Sequence, residues 1–181
     1  MRLLSYVIAG VIAVAAPLTH GEAVTAVDRI DLTRYAGRWH EIARLPMFFE
    51  RACDREITAT YSLRADGSVG VRNACVEKSG KSRSAEGVAR RPDPVKAPAQ
   101  LQVRFAPDWL SFLPMVWADY WVIALDPDYR WAMVGEPRRK YLWILARQPH
   151  LDPATFEALK AKAQSMGYDL APLIVAGRIG E

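Results

Sequence analysis

Eight short runs of alternating apolar and polar residues, joined by turns, constrain this chain more than any other feature. They are Trp39–Arg44, Ile57–Leu63, Val69–Cys75, Ser84–Arg90, Leu101–Phe105, Tyr120–Leu125, Trp131–Gly135 and Tyr141–Arg147. A period of two puts one face of a strand toward a core and the other toward water. Arg64-Ala-Asp-Gly67 has hairpin-turn chemistry, Asp126-Pro-Asp-Tyr129 turns between the sixth and seventh runs, and Pro92, Pro94 and Pro98 punctuate the link before the fifth. Eight strands that each follow their sequence neighbour predict an all-β fold, an eight-stranded antiparallel up-and-down barrel. Closure then requires the first and last strands to meet. Trp39 stands at the start of the first, after Gly37, and Arg147 at the end of the last, so a guanidinium laid on the indole would tie the two together.

The segment after the eighth run predicts one α-helix. Asp152 is placed as its N-cap and Pro153 in its first turn; Phe156, Leu159, Ala163 and Met166 recur at helical spacing, and Gly167 stops it. A single apolar stripe suits a helix packed on the outside of the barrel. Leu170–Val175 reads as an added edge strand.

At 181 residues the chain supports one domain, assigned to residues 28–176. Ahead of it, Arg2, the apolar run Leu3–Ala16 and the small residues around Gly21-Glu22-Ala23 read as a secretory signal peptide over residues 1–23, with cleavage after Ala26 as the second choice. The two cysteines are Cys53 and Cys75, so none follows the apolar run and no lipoprotein anchor cysteine is expected. Export makes the pair a disulfide candidate, with two buried free thiols as the alternative. A hairpin of the second and third strands would bring the two near each other across the pair.

The 24 Lys and Arg against 20 Asp and Glu are scattered; Arg90-Arg91 and Arg138-Arg139-Lys140 are short and turn-like. No continuous positive footprint exists for nucleic acid. His40 and His150 lack metal-ligand spacing with the cysteines or carboxylates, and no nucleophile motif is present. Neither a metal, a cofactor nor catalytic residues are expected.

Gly37-Arg-Trp39, followed by His-Glu-Ile-Ala, resembles the first lipocalin signature. Leu125-Asp126 with Tyr129 is similar to a departed form of the second, and Trp143-Ile-Leu-Ala-Arg147 resembles the third, whose arginine packs on the motif tryptophan. Phe49-Glu50, Thr58–Leu63 and Val122–Asp126 narrow the resemblance to the bacterial Blc-like lipocalins, related to apolipoprotein D. It implies a calyx that binds a small hydrophobic ligand, here a fatty acid or lysophospholipid, without catalysis. It also implies transport or storage for membrane maintenance at the outer membrane, and a homodimer as the usual state. Without an anchor cysteine the protein would be periplasmic, or peripheral to that membrane. Gly37, Trp39, Asp126 and Arg147 are then structural.

Strand parity names the cavity lining: Ile57, Ala59, Tyr61, Val71, Leu101, Val103, Phe105, Tyr141 and Trp143, with Phe49 from the first loop. The small face Ala85, Gly87, Ala89 leaves room. Glu41 shares the parity of Trp39, so it pairs with an arginine or tyrosine inside, bonds the ligand, or is turned to solvent by a bulge. The apolar loops bring Met47, Phe48 and Phe49 together with Trp109, Leu110, Phe112, Leu113, Met115 and Trp117 at one rim. Phe48, Trp109, Phe112 and Trp117 there contact a membrane or a second subunit, or fold over the cavity as a lid. Two other functions remain open: a lipocalin-type enzyme using Cys75 or Cys53, and a tetrapyrrole carrier, which would need a histidine inside.

Overall fold

A computed structural model describes residues 21–180; the signal-peptide reading falls mainly on residues 1–20 and lies outside them. Eight strands form the barrel: β1 (Gly37–Arg44), β2 (Cys53–Leu63), β3 (Val69–Glu77), β4 (Ser82–Arg90), β5 (Gln100–Arg104), β6 (Ala118–Leu125), β7 (Trp131–Gly135) and β8 (Leu142–Ala146). Each pairs antiparallel with its sequence neighbour, and β1 also pairs with β8, which closes the sheet. The β2–β3 turn uses Gly67 at φ +79°, a conformation glycine adopts without steric cost.

The strands follow the alternation, with differences at their ends. β2 begins four residues earlier than Ile57, through two irregularities between Cys53 and Thr58. β8 stops short of Tyr141, whose N–H is drawn to the buried Glu136 carboxylate at 3.2 Å. The added edge strand is shorter than Leu170–Val175, because a turn closed by the Leu173 N–H on the Leu170 carbonyl takes its first half. What remains, β10 (Ile174–Val175), pairs with Ala43 and Arg44. It occupies the edge of β1 that β2 leaves after His40. A short parallel pair that alternation does not signal, β9 (His150–Leu151) with β11 (Arg178–Ile179), lies outside the barrel sheet.

Among the described residues, two α-helices complete the fold. α2 (Pro153–Ser165) is capped as its sequence predicts: the Asp152 carboxylate accepts from the Thr155 N–H at 2.8 Å, and Gly167 turns the chain at φ +81°. Its Phe156, Leu159 and Ala163 pack on the outward side chains Ile42, Ile123, Met133, Leu142 and Ile144. The helix thus covers the outside of the barrel. α1 (Leu32–Tyr35) is a single turn capped by Asp31. It closes one end of the barrel with Ile30, Trp39, Leu101, Val122, Ala132 and Val134.

Candidate functional site

Gly37 carries φ +95°, and a Cβ there would stand 3.3 Å from the Arg147 Nη1. The glycine therefore both turns the chain and admits the guanidinium. Arg147 lies 3.9 Å from the Trp39 ring centroid and donates to the carbonyls of Arg34, Tyr35, Ala36 and Arg38. The first three are carbonyls that a one-turn helix leaves without partners at its end, and Arg38 belongs to β1. The Trp39 Nε1 donates to the Tyr35 carbonyl at 2.8 Å. Asp126 is buried at the same end, where it accepts two bonds from the Arg130 guanidinium and two from backbone N–H groups.

Three tyrosines form the floor above this plug. The Tyr120 hydroxyl lies 2.8 Å from that of Tyr35 and 2.7 Å from that of Tyr61. Burial pushes all three hydroxyls above their ordinary range, so they stay neutral. Over this floor opens a cavity of about 520 Å³.

Its walls include Glu41, Phe49, Ile57, Ala59, Tyr61, Val71, Val103, Phe105, Tyr141 and Trp143. Leu101 does not reach it. Its inward parity is as expected, but it lies lower, in the closed-end core opposite Tyr120, because alternation fixes a face and not a height along the barrel. The small face of β4 divides in the same way. Ala85 lines the cavity and Ala89 is in the floor. Gly87 leaves no empty space, since a Cβ there would meet the Phe105 ring at 2.8 Å.

A buried charged cluster interrupts the apolar wall. The β1–β8 register shifts between Glu41 and Ala43, making Ile42 an extra residue. The bulge is present, but it does not turn Glu41 to solvent; instead it reverses parity beyond itself. Glu41 opposite Leu145 and Arg44 opposite Trp143 therefore share the inner face. Arg44 Nη1 lies 2.6 Å from the Glu41 carboxylate and its Nε 3.2 Å from Glu50. The Trp143 Nε1 points at Glu50 from 3.5 Å. Burial pushes the Glu41 carboxyl up to about 8, and the neighbouring Glu50 adds to the shift against the pull of Arg44. Glu50 is raised as well, again by burial first, with Arg44 opposing. The cluster therefore keeps one proton near neutral pH.

Cys53 and Cys75 are bonded to each other in the cavity wall, with Cα atoms 5.6 Å apart. Both cysteines are engaged, so the free-thiol alternative does not hold. His40 is on the outer face of β1 and His150 on β9, and neither lines the cavity.

At the open end, Phe48, Trp109, Phe112 and Met115 are 68, 72, 75 and 84 % exposed. Some neighbours differ from expectation, Leu110 and Leu113 being half-buried. Met47 is buried. Trp117 is half-buried: its Nε1 donates to the Ser111 carbonyl at 2.8 Å, and the Arg90 guanidinium covers its ring at 3.9 Å. The buried Arg104, which alternation puts on the outer face, braces the same loop through Asp108 at 2.5 Å. Alternation also gave no sign of Arg44, Tyr35 or Tyr120 as site residues; Glu50 was visible only beside Phe49 in the family pattern.

Residues 30–177 match the lipocalin-like domain family. The chain is 39 % identical over 157 residues to temperature-induced lipocalin-1 of Arabidopsis thaliana, covering 86 % of this chain and 83 % of that one. It is 38 % identical over 180 residues to the outer membrane lipoprotein Blc of Escherichia coli (strain K12), covering 96 % of each. Among solved structures, insecticyanin of the tobacco hornworm Manduca sexta superposes with a TM-score of 0.65 at 26 % identity, covering 86 % of this chain and 85 % of that one.

Proposed function

We propose, because this chain belongs to the lipocalin family, that it binds and carries a single-chain hydrophobic ligand in its barrel cavity. A fatty acid or a lysophospholipid is the class we assign, handled without catalysis for membrane maintenance in the cell envelope. The cavity carries this reading. Its volume of about 520 Å³ falls within the range of small-molecule sites, and its walls are mainly apolar with a few convergent polar groups. An outer membrane relative that matches nearly the full length supports a place on the periplasmic side of that membrane. The exposed Phe48, Trp109, Phe112 and Met115 suit contact with the membrane surface; a homodimer through the same patch is the competing use.

Native mass spectrometry of the protein purified from its own host, followed by lipid extraction, tests the reading. The expected result is one single-chain lipid per chain. A tetrapyrrole with visible absorbance would overturn it, as would ligand-free protein that fails to take up a fluorescent acyl-chain probe.

A further inference from the structure

The charged cluster presents its acidic side to the cavity. Glu41 and Glu50 line it, whereas Arg44 stands behind them. The guanidinium is ion-paired with both carboxyls, at 2.6 and 3.2 Å, although only the Glu41 contact is a hydrogen bond, so its charge is opposed by two acidic groups that stand between it and the cavity. Beside the carboxyls stand aromatic rings. Tyr141 stacks on Trp143 with centroids 6.0 Å apart, and Phe49 closes on Tyr141 at 5.9 Å. Ring faces and buried carboxylates both attract a cation.

We propose, on the reading that the cavity takes a single-chain amphiphile, that Glu41, Glu50 and the Phe49–Tyr141–Trp143 rings form a subsite for an ammonium headgroup and disfavour a free carboxylate, which narrows the assignment from fatty acid or lysophospholipid to an amphiphile with an ammonium head. With both glutamates ionised and Arg44 charged, the cluster has one net negative charge. An ammonium pairs with that state, and the proton held by Glu41 leaves to solvent as it binds. A carboxylate head would meet the same oxygens in a low-dielectric wall and would be repelled increasingly as Glu41 ionises. The other charged groups facing the cavity are Arg83 on β4 and Asp119 on β6, which have opposite signs. The buried Tyr61 and Tyr120 hydroxyls remain neutral through the relevant range.

Three C12 probes, each below its micelle-forming concentration, separate the possibilities: dodecyltrimethylammonium, dodecyl sulfate and uncharged 1-lauroylglycerol. The two ionic heads hold their charge at every pH used, so only the protein titrates. Between about pH 6 and about pH 9 the ammonium should gain roughly tenfold in affinity, the sulfate should lose a similar factor, and 1-lauroylglycerol should change little. Glu41→Gln leaves Arg44 balanced by Glu50 alone and should flatten both slopes. If that variant does not fold, the wild-type comparison decides by itself. Binding of 1-lauroylglycerol with no ammonium preference, or with no pH dependence of that preference, overturns the subsite alone. Failure of all three probes overturns the cavity-binding reading and the subsite with it.

Discussion

Arg147 and Trp39 join the first and last strands at the closed end of the barrel, the guanidinium lying 3.9 Å over the indole while its N–H groups hold carbonyls at the end of α1. A stacked cation contributes roughly 0.5 to 2 kcal/mol, and each bond from a charged donor roughly 1.5 to 3 in a well-buried setting. Arg147→Ala should therefore lower unfolding free energy by about 3 kcal/mol in a denaturant titration. Ligand choice should be unchanged, because the cavity lies above the Tyr35–Tyr61–Tyr120 floor. Native stability with altered ligand preference would contradict this assignment.

The Cys53–Cys75 bond spans 22 residues of sequence. Loop-closure entropy for such a separation corresponds to about 3 kcal/mol. The bond also fixes the start of β2, where pairing with β3 is irregular. The double variant Cys53→Ser, Cys75→Ser should lose that much stability. It should also exchange amide hydrogens faster at residues 53–58 than at the regular pairs Ala59–Leu63. Uniform exchange across β2 would show that the bond does not hold that segment.

Ala85 lines the cavity with its small side chain open to the interior space. Ala85→Phe fills volume that a ligand needs without displacing a buried core residue. Affinity for 1-lauroylglycerol should fall roughly tenfold or more, while the melting temperature stays within a few degrees of wild type. Unchanged affinity would mean that the ligand occupies another part of the barrel.

Much of this architecture was legible because period two states which face a residue takes. Ile57, Tyr61, Val71 and Trp143 all line the cavity as their parity requires. Parity is silent on two matters. It gives no height along the axis, which is why Leu101 is in the floor and not in the cavity wall. It also fails beyond a bulge, and the extra residue Ile42 turned Arg44 inward although the unbroken alternation put it outside. Tyr35 was out of reach for a different reason. It stands on a single helical turn before the first strand, where no periodicity is long enough to read.

The rim residues Trp109 and Phe112 are exposed together with Phe48 and Met115. If they enter a bilayer surface, Trp109→Ser with Phe112→Ser should abolish flotation with liposomes, because each ring contributes buried apolar area at the interface. Trp117→Ser is the contrasting variant. Its ring is held under Arg90 and against Ser111, so its loss should loosen the loop and lower stability more than flotation. Flotation unchanged in the first variant, with a shift from dimer to monomer in sedimentation, would assign the patch to a second copy of the chain.

Glu41 makes stability depend on pH in a direction opposite to that of an ordinary ion-paired carboxylate. Its folded-state value is pushed up to about 8, by burial first and by Glu50 second, whereas an unfolded glutamate titrates at about 4.3. Between those values the native state binds more protons than the unfolded chain, so unfolding free energy falls as pH rises and levels off above about 8. The raised Glu50 acts with the same sign. Asp126, held low by its bonds to Arg130, acts with the opposite sign. Its contribution is lost as pH falls below the ordinary aspartate range and is constant across this window. His40, held low by burial and by Arg38, acts against the decline below the ordinary histidine value of about 6.5, so thermal unfolding should show a midpoint that declines from about pH 6.5 to about pH 8. Glu41→Gln keeps the side-chain shape and removes the titration, so its midpoint should vary much less over the same interval and exceed that of wild type at the alkaline end. A variant whose midpoint declines as steeply as wild type would place the titrating group elsewhere.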